Sequence, residues 1–282
     1  MSLLNALLLG IIQGVAEFLP ISSSGHLSIA QNLLGLRVEG SEDMFFDVLL
    51  HLGTLAAVFV AYWADIREMI LEFFRTIQDV AHGGMPQRIP PARRMILLVI
   101  VGTLPLFLVL PIQDFVEGLS NNTYAVGGAL LVTGVLLWLC DRVRKGRKNE
   151  GSATMRDVLL VGLSQAVATC PGLSRSGTTI SVGMMRGFDR AFAVRFSFLM
   201  SLPAVLGANI LEIKDAVAAG FPMEELPVYL VGVAVSAVVG YFAIRLVKSL
   251  SDKGKFGKFA YYCWAVGLGS LIAGIVKFGI LA

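Results

Sequence analysis

The chain has 282 residues, of which 56% are hydrophobic and 15% charged, with a mean hydropathy of +0.75 and a formal net charge of +3. Soluble domains carry about 25% charged residues, so this composition excludes an ordinary soluble protein, and the small net charge gives no sign of a nucleic-acid partner. Three scattered cysteines, Cys140, Cys170 and Cys263, form neither a disulfide framework nor a zinc spacing.

The first stretch, MSLLNALLLG, has no basic leader and no small-residue cleavage site, so it is not read as a signal peptide. Residues 3–30 form one short apolar run, a break at Pro20, a serine cluster and a second short run. Each run is too short to cross a bilayer, which predicts a re-entrant helix–loop–helix. Three runs long enough to span follow at 45–63, 95–112 and 124–140. A second broken region covers 158–190, and three more spans are expected at 195–213, 227–247 and 259–281. The expected fold is therefore all-α and polytopic, with six full spans and two re-entrant hairpins in one membrane domain, 1–282.

Basic residues orient it. The 64–94 connection holds Arg67, Arg75, Arg88, Arg93 and Arg94, the 141–157 connection holds six Lys or Arg, and 245–258 holds five. The opposite connections hold Arg37, none, and Lys214. The rich side is assigned to the cytoplasm, and both termini to the outside.

The two broken regions are copies. GIIQGVAEFLPISSSG from Gly10 aligns with GLSQAVATCPGLSRSG from Gly162 at a constant offset of 152, with seven of sixteen positions identical; chance gives roughly one or two. The repeats run about 1–145 and 153–282. Each holds one hairpin and three spans; three is odd, so the second copy is inserted upside down. The first hairpin then enters from outside, the second from the cytoplasm, and their tips can meet. Inverted repeats with broken helices around a central site are a usual membrane solution for binding an ion or anion.

Gln13 and Glu17 lie one helical turn apart on one face, bordered by Gly10 and Gly14, which admit a second helix closely. After Pro20, residues Ser22, Ser23, Ser24 and Gly25 open a new helix near His26, where free N–H groups and hydroxyls suit a phosphate. In the second copy Pro171 and Gly172 break the helix, and Ser174, Arg175, Ser176, Gly177, Thr178 and Thr179 open the next. Arg175 stands where the first loop has Ser23. One loop thus offers a nucleophile and acid–base groups, the other a guanidinium that can fork onto phosphate oxygens. Serines alone serve packing and hinges as readily as chemistry, and Glu17 and Arg175 can also form a purely structural ion pair. Asp47 and His51, one turn apart in the first full span, are given structural roles, and Arg186, Asp189, Arg190 and Arg195 are read as an interfacial charge cluster.

At these residues the chain resembles the undecaprenyl-diphosphate phosphatase family, also called the bacitracin-resistance protein family. The first signature, an (E/Q)xxxE helix followed by PxSSxGH, is carried by Gln13 to Glu17 and Pro20 to His26; the second, PGxSRSGxT, by Pro171 to Thr179. Some members carry Glu where this chain has Gln13, leaving one carboxylate in the motif. The resemblance covers essentially the whole chain. It implies hydrolysis of a C55 polyprenyl diphosphate to the monophosphate and phosphate, recycling the lipid carrier of peptidoglycan synthesis and conferring bacitracin resistance. It further implies a bacterial inner-membrane enzyme open to the outer face and a divalent cation, Mg²⁺ or Ca²⁺, with Glu17 and Gln13 as the nearest ligands. Catalysis is assigned to Ser23, Glu17, His26 and Arg175, and substrate binding to Gln13, Ser22, Ser24, Gly25, Ser174, Ser176, Gly177, Thr178 and Thr179. Ser23, His26 and water all stand as attacking groups. The alternative class is a secondary transporter or lipid flippase using the same anion site. The sequence leaves homo-oligomerisation open.

Overall fold

In the computed structural model, the structure describes residues 1–33, 42–84, 88–219 and 223–276. Among them are twelve α-helices and no β-strand beyond one isolated bridge: α1 Leu3–Phe18, α2 Ser23–Leu33, α3 Glu42–Ala61, α4 Trp63–Ala81, α5 Pro91–Thr103, α6 Gln113–Gly118, α7 Thr123–Cys140, α8 Met155–Val167, α9 Arg175–Met185, α10 Arg190–Ala219, α11 Leu226–Asp252 and α12 Phe259–Gly274. Local signals set several starts. Ser2 caps α1 by accepting from Asn5 N at 3.1 Å, Asn122 caps α7 through two backbone N–H groups, and Thr154 with Asp157 forms a reciprocal capping box on α8.

Four stretches are long and apolar enough to cross a membrane: Pro91–Val116, Thr123–Cys140, Arg190–Ile210 and Leu226–Asp252. A fifth arises if α3 and α4, bent by 83°, count as one. The chain is thus an all-helical, multi-pass membrane protein. The described part of the last expected span is α12, sixteen residues long; residues 277–281 of that expectation lie outside the described residues. The stretch after residue 63, expected as a connection, is instead the 19-residue helix α4. Glu72 meets Arg93 and Asp65 meets Arg195 on the protein side, where Ile66 is also buried. Ile70, Phe73, Phe74 and Ile77 are exposed, as are Arg67, Glu68 and Arg75.

The helices of the two halves interleave. Helix α1 packs on α11, and its sequence counterpart α8 packs on α5; α3 packs on α11, and α10 on α5; α7 packs on α12. Helices α2 and α9 begin and end 152 residues apart. The contacts are made backbone to backbone at glycines: a Cβ on Gly10 would lie 2.7 Å from Gly232 O, one on Gly14 2.8 Å from Ser236 O, and one on Gly162 would collide with Gly102 O. Such close approach is how membrane helices gain dispersion contact where lipid tails offer no hydrophobic drive. The apolar core runs through α10, where Phe198 meets Phe18 edge-on at 5.5 Å and Tyr62 at 6.0 Å.

The basic residues of the 141–157 and 186–195 stretches form the expected charge cluster. Asp157, 1% exposed, takes Lys148 at 2.7 Å and Arg186 at 2.9 Å. Arg195 joins Glu150 at 2.7 Å to Asp65 at 3.3 Å, Arg190 reaches Asp141, and Asp189 caps Phe192 N. These partners are protein groups, so the cluster ties α4, α8 and α10 together.

Gly10→Leu forces α1 off α11 and is expected to cost about 1–3 kcal/mol through overpacking. Thermal unfolding in detergent reads this as a clear fall in Tm; an unchanged Tm would show that the α1–α11 contact yields freely.

Candidate active site

The two broken hairpins repeat one local design. In the first, Ser22 takes a left-handed φ of 73°, the only non-glycine residue to do so among those described. Its Oγ accepts from Gly25 N at 3.2 Å and its carbonyl from His26 N at 3.2 Å. In the second, Ser174 Oγ accepts from Gly177 N at 3.0 Å and its carbonyl from Thr178 N at 2.8 Å. Ser22 and Ser24 pair at 3.3 Å, as do Ser174 and Ser176. Each serine serves as the N-cap that an opened helix requires.

The loops cross at glycine. A Cβ on Gly25 would sit 3.1 Å from Gly172 Cα, and one on Gly177 3.1 Å from Pro20 Cβ. Carbonyls exposed by the breaks are met by neighbouring helices: Thr133 Oγ1 of α7 donates to Gly172 O at 3.3 Å, and Cys263 Sγ of α12 to Pro20 O at 3.5 Å. In the buried interior these bonds satisfy carbonyls that no helix bond reaches.

The crossing brings Arg175 onto Glu17. Glu17 is buried. Its Oε1 is bonded by Arg175, and its Oε2 accepts from Ser23 Oγ at 2.6 Å and from Gln13 Nε2 at 3.2 Å. His51 Nε2 stands 3.8 Å from Oε2. A buried carboxylate is tolerable only with such a full set of partners, and a 2.6 Å O–H···O⁻ bond is of the strong, charge-assisted kind. Ser23 is thus held against a base, the geometry of an activated nucleophile. Arg175 keeps 28% of its side chain exposed.

His26 belongs to a different neighbourhood. Its Nδ1 faces the Ser22 carbonyl at 2.8 Å, so Nδ1 carries the proton and Nε2 accepts from Tyr262 Oη at 2.8 Å. No hydrogen bond or ion pair joins it to Glu17, Ser23 or Arg175 among the described residues. Of the expected binding residues, Ser22, Ser174, Ser176, Thr178 and Thr179 are buried; Thr179 Oγ1 bonds Arg175 O and Ser197 Oγ. Ser23, Ser24, His26 and Arg175 retain surface.

Arg175 and His51 also line a cavity of about 540 Å³ between α5, α6, the 3₁₀ turns joining them, and α10. Its other walls are mostly apolar, among them Leu106, Phe107, Val109 and Val205. Sequence reasoning gave His51 a structural role; its one-turn spacing from Asp47 in an apolar span was the available signal. Tyr262 and the cavity walls carried no motif at all.

No group of three or more His, Cys, Asp or Glu able to hold a metal ion occurs among the described residues. One buried oxygen beside Glu17 is unpartnered, Gln13 Oε1. An amide oxygen and one carboxylate are hard ligands, too few for a protein-only cage yet suited to a cation that shares its shell with phosphate oxygens.

The chain matches the family model described as Bacitracin resistance protein BacA over residues 6–269. Among curated proteins it is similar to an undecaprenyl-diphosphatase of Alkaliphilus metalliredigens, 41% identical over 95% of this chain and 97% of that one. It is also similar to undecaprenyl-diphosphatases of Halothermothrix orenii, 39% identical over 98% of this chain and 100% of that one, and Methanosphaera stadtmanae, 37% identical over 98% and 99%. The chain belongs to the bacitracin resistance protein BacA family.

Proposed function

We infer that this chain is an integral-membrane undecaprenyl-diphosphatase that converts undecaprenyl diphosphate to undecaprenyl phosphate and inorganic phosphate, so recycling the lipid carrier of cell-wall synthesis. One observation carries the reading: a serine hydroxyl is bonded to a carboxylate whose other oxygen is held by Arg175, and Arg175 lines an apolar cavity. An amphiphile with a charged head and an isoprenoid tail matches both ends. A transporter needs an anion site, but has no use for a hydroxyl held 2.6 Å from a base.

We propose Ser23 as the attacking group. Its Oγ forms a bond to the terminal phosphorus while the bond to the bridging oxygen breaks, and the prenyl monophosphate leaves. Glu17 takes the hydroxyl proton. Water then attacks the phosphoserine, frees phosphate and restores Ser23. Arg175, released from Glu17 when the diphosphate arrives, forks onto the phosphate oxygens and stabilises charge in the transition state. His26, with both ring nitrogens engaged, is better suited to bracing the first loop against α12. A divalent cation accompanying the diphosphate would be held by Gln13 Oε1 and Glu17. It would supply neutralising charge.

We further propose that the protein is an inverted repeat of two units, about 1–145 and 153–282, in which α12 belongs to the sixth span and α1–α2 and α8–α9 are re-entrant. The exchange of packing partners between the halves supports this. The excess of Lys and Arg supports an orientation in a bacterial inner membrane with 64–94, 141–157 and 245–258 on the cytoplasmic side and the site open to the outer face.

Purified protein in detergent, with no gradient, is expected to release phosphate from a polyprenyl diphosphate when Mg²⁺ or Ca²⁺ is supplied; no release under any metal or lipid condition favours transport instead. In the same assay Arg175→Lys keeps the charge and loses the fork, and kcat should fall about 10²–10³-fold. Near-normal turnover would leave Arg175 a structural partner of Glu17 only. Ser23→Ala should abolish a phosphoenzyme that mass spectrometry maps to Ser23 in the wild type; an acid-labile adduct on His26 would refute the assignment. Single cysteines introduced near Asn121 should react with an impermeant reagent in intact cells, whereas those near Lys145 and Lys255 should not, and the reverse pattern would overturn the orientation.

A further inference from the structure

The cavity below Arg175 is too small for the whole tail of the substrate. At about 30 Å³ per non-hydrogen atom, the share of a molecule in liquid water, 540 Å³ takes about eighteen atoms, or three to four isoprene units. An undecaprenyl tail has eleven. The cavity is a cleft rather than a closed chamber: Phe107 and Leu110 line it yet are 63% and 50% exposed. Tail beyond the cavity therefore passes sideways into lipid, where it loses nothing, since lipid tails are as apolar as the walls.

The α10 wall sets three small residues beside Pro203, Val205 and Asn209. Ala204, Gly207 and Ala208 face the space on successive turns, and Gly207 and Ala208 are exposed. A Cβ on Gly207 would meet nothing within 4 Å, in contrast to Gly10, Gly14 and Gly162, whose missing side chains admit a neighbouring helix. Gly207 thus does no packing; what its absent side chain leaves is cavity width. Leu and Phe abound elsewhere in this chain, so the small wall is a local property of the face below Arg175.

Resting on the phosphatase reading above, we propose that this cavity holds only the first three to four isoprene units next to the diphosphate, and that Ala204, Gly207 and Ala208 set that number. The enzyme then distinguishes prenyl diphosphates by length up to about four units and treats all longer tails alike.

The test compares Gly207→Phe with wild type on C10, C20 and C55 prenyl diphosphates in mixed micelles. The ratio of variant to wild-type kcat/KM at each length cancels the partition of each substrate into the micelle. That ratio is expected to fall at least about tenfold between C10 and C20 and then stay level to C55. Ala208→Leu should give the same length dependence, which guards against a folding defect confined to one variant. A ratio equal at all three lengths, or one that goes on falling from C20 to C55, overturns the proposal. Absence of phosphate release by the wild type at every length would instead overturn the phosphatase reading, so the two failures are distinct.

Discussion

Two helices are broken among packed neighbours, and the carbonyls and N–H groups that the breaks expose in the buried interior must find partners within the protein. That constraint shapes the molecule. Ser22 and Ser174 cap the reopened helices, and Thr133 and Cys263 reach in from α7 and α12 to meet the carbonyls of Gly172 and Pro20. The loops are close enough to cross because Gly25 and Gly177 have no side chain at the crossing. A helix that ran through without breaking would need none of this, and would also place no helix N-terminus at depth.

Ser23 and Arg175 occupy the same position in two otherwise similar loops, and the crossing delivers both to one carboxylate, Glu17. The loops share their capping serines and differ at the residue that meets Glu17. A buried carboxylate, an arginine and a hydroxyl together satisfy one another.

Lipid, rather than water, decides the rest of the architecture. Helix α4 exposes Ile70, Phe73, Phe74 and Ile77 while Glu72 and Asp65 turn inward onto Arg93 and Arg195. Helices associate through glycine contacts, where backbone meets backbone. The cavity between α5 and α10 is lined by apolar residues, of which Phe107 and Leu110 are exposed.

The sequence by itself determined the helical membrane class, the sites of the two breaks, the duplication and the family motifs. These are local or periodic properties: hydropathy runs, Pro and Gly in fixed places, and a constant 152-residue offset. It also paired Gln13 with Glu17, because one helical turn relates them. Tertiary structure decided what depends on crossing angles between distant segments. It turned His26 onto Tyr262 and away from Glu17, although the motif sets His26 only three residues from Ser23. It brought His51, 34 positions further along the chain than Glu17, to the wall of the site. It assigned Ser22 and Ser174 to capping, a use that a run of serines does not announce. It bent the chain by 83° after α3, and it left Gly207 facing open space while Gly10 faces a helix. Two glycines read alike in a sequence; which one makes a contact and which one makes a cavity is fixed only by where the neighbouring helix lies.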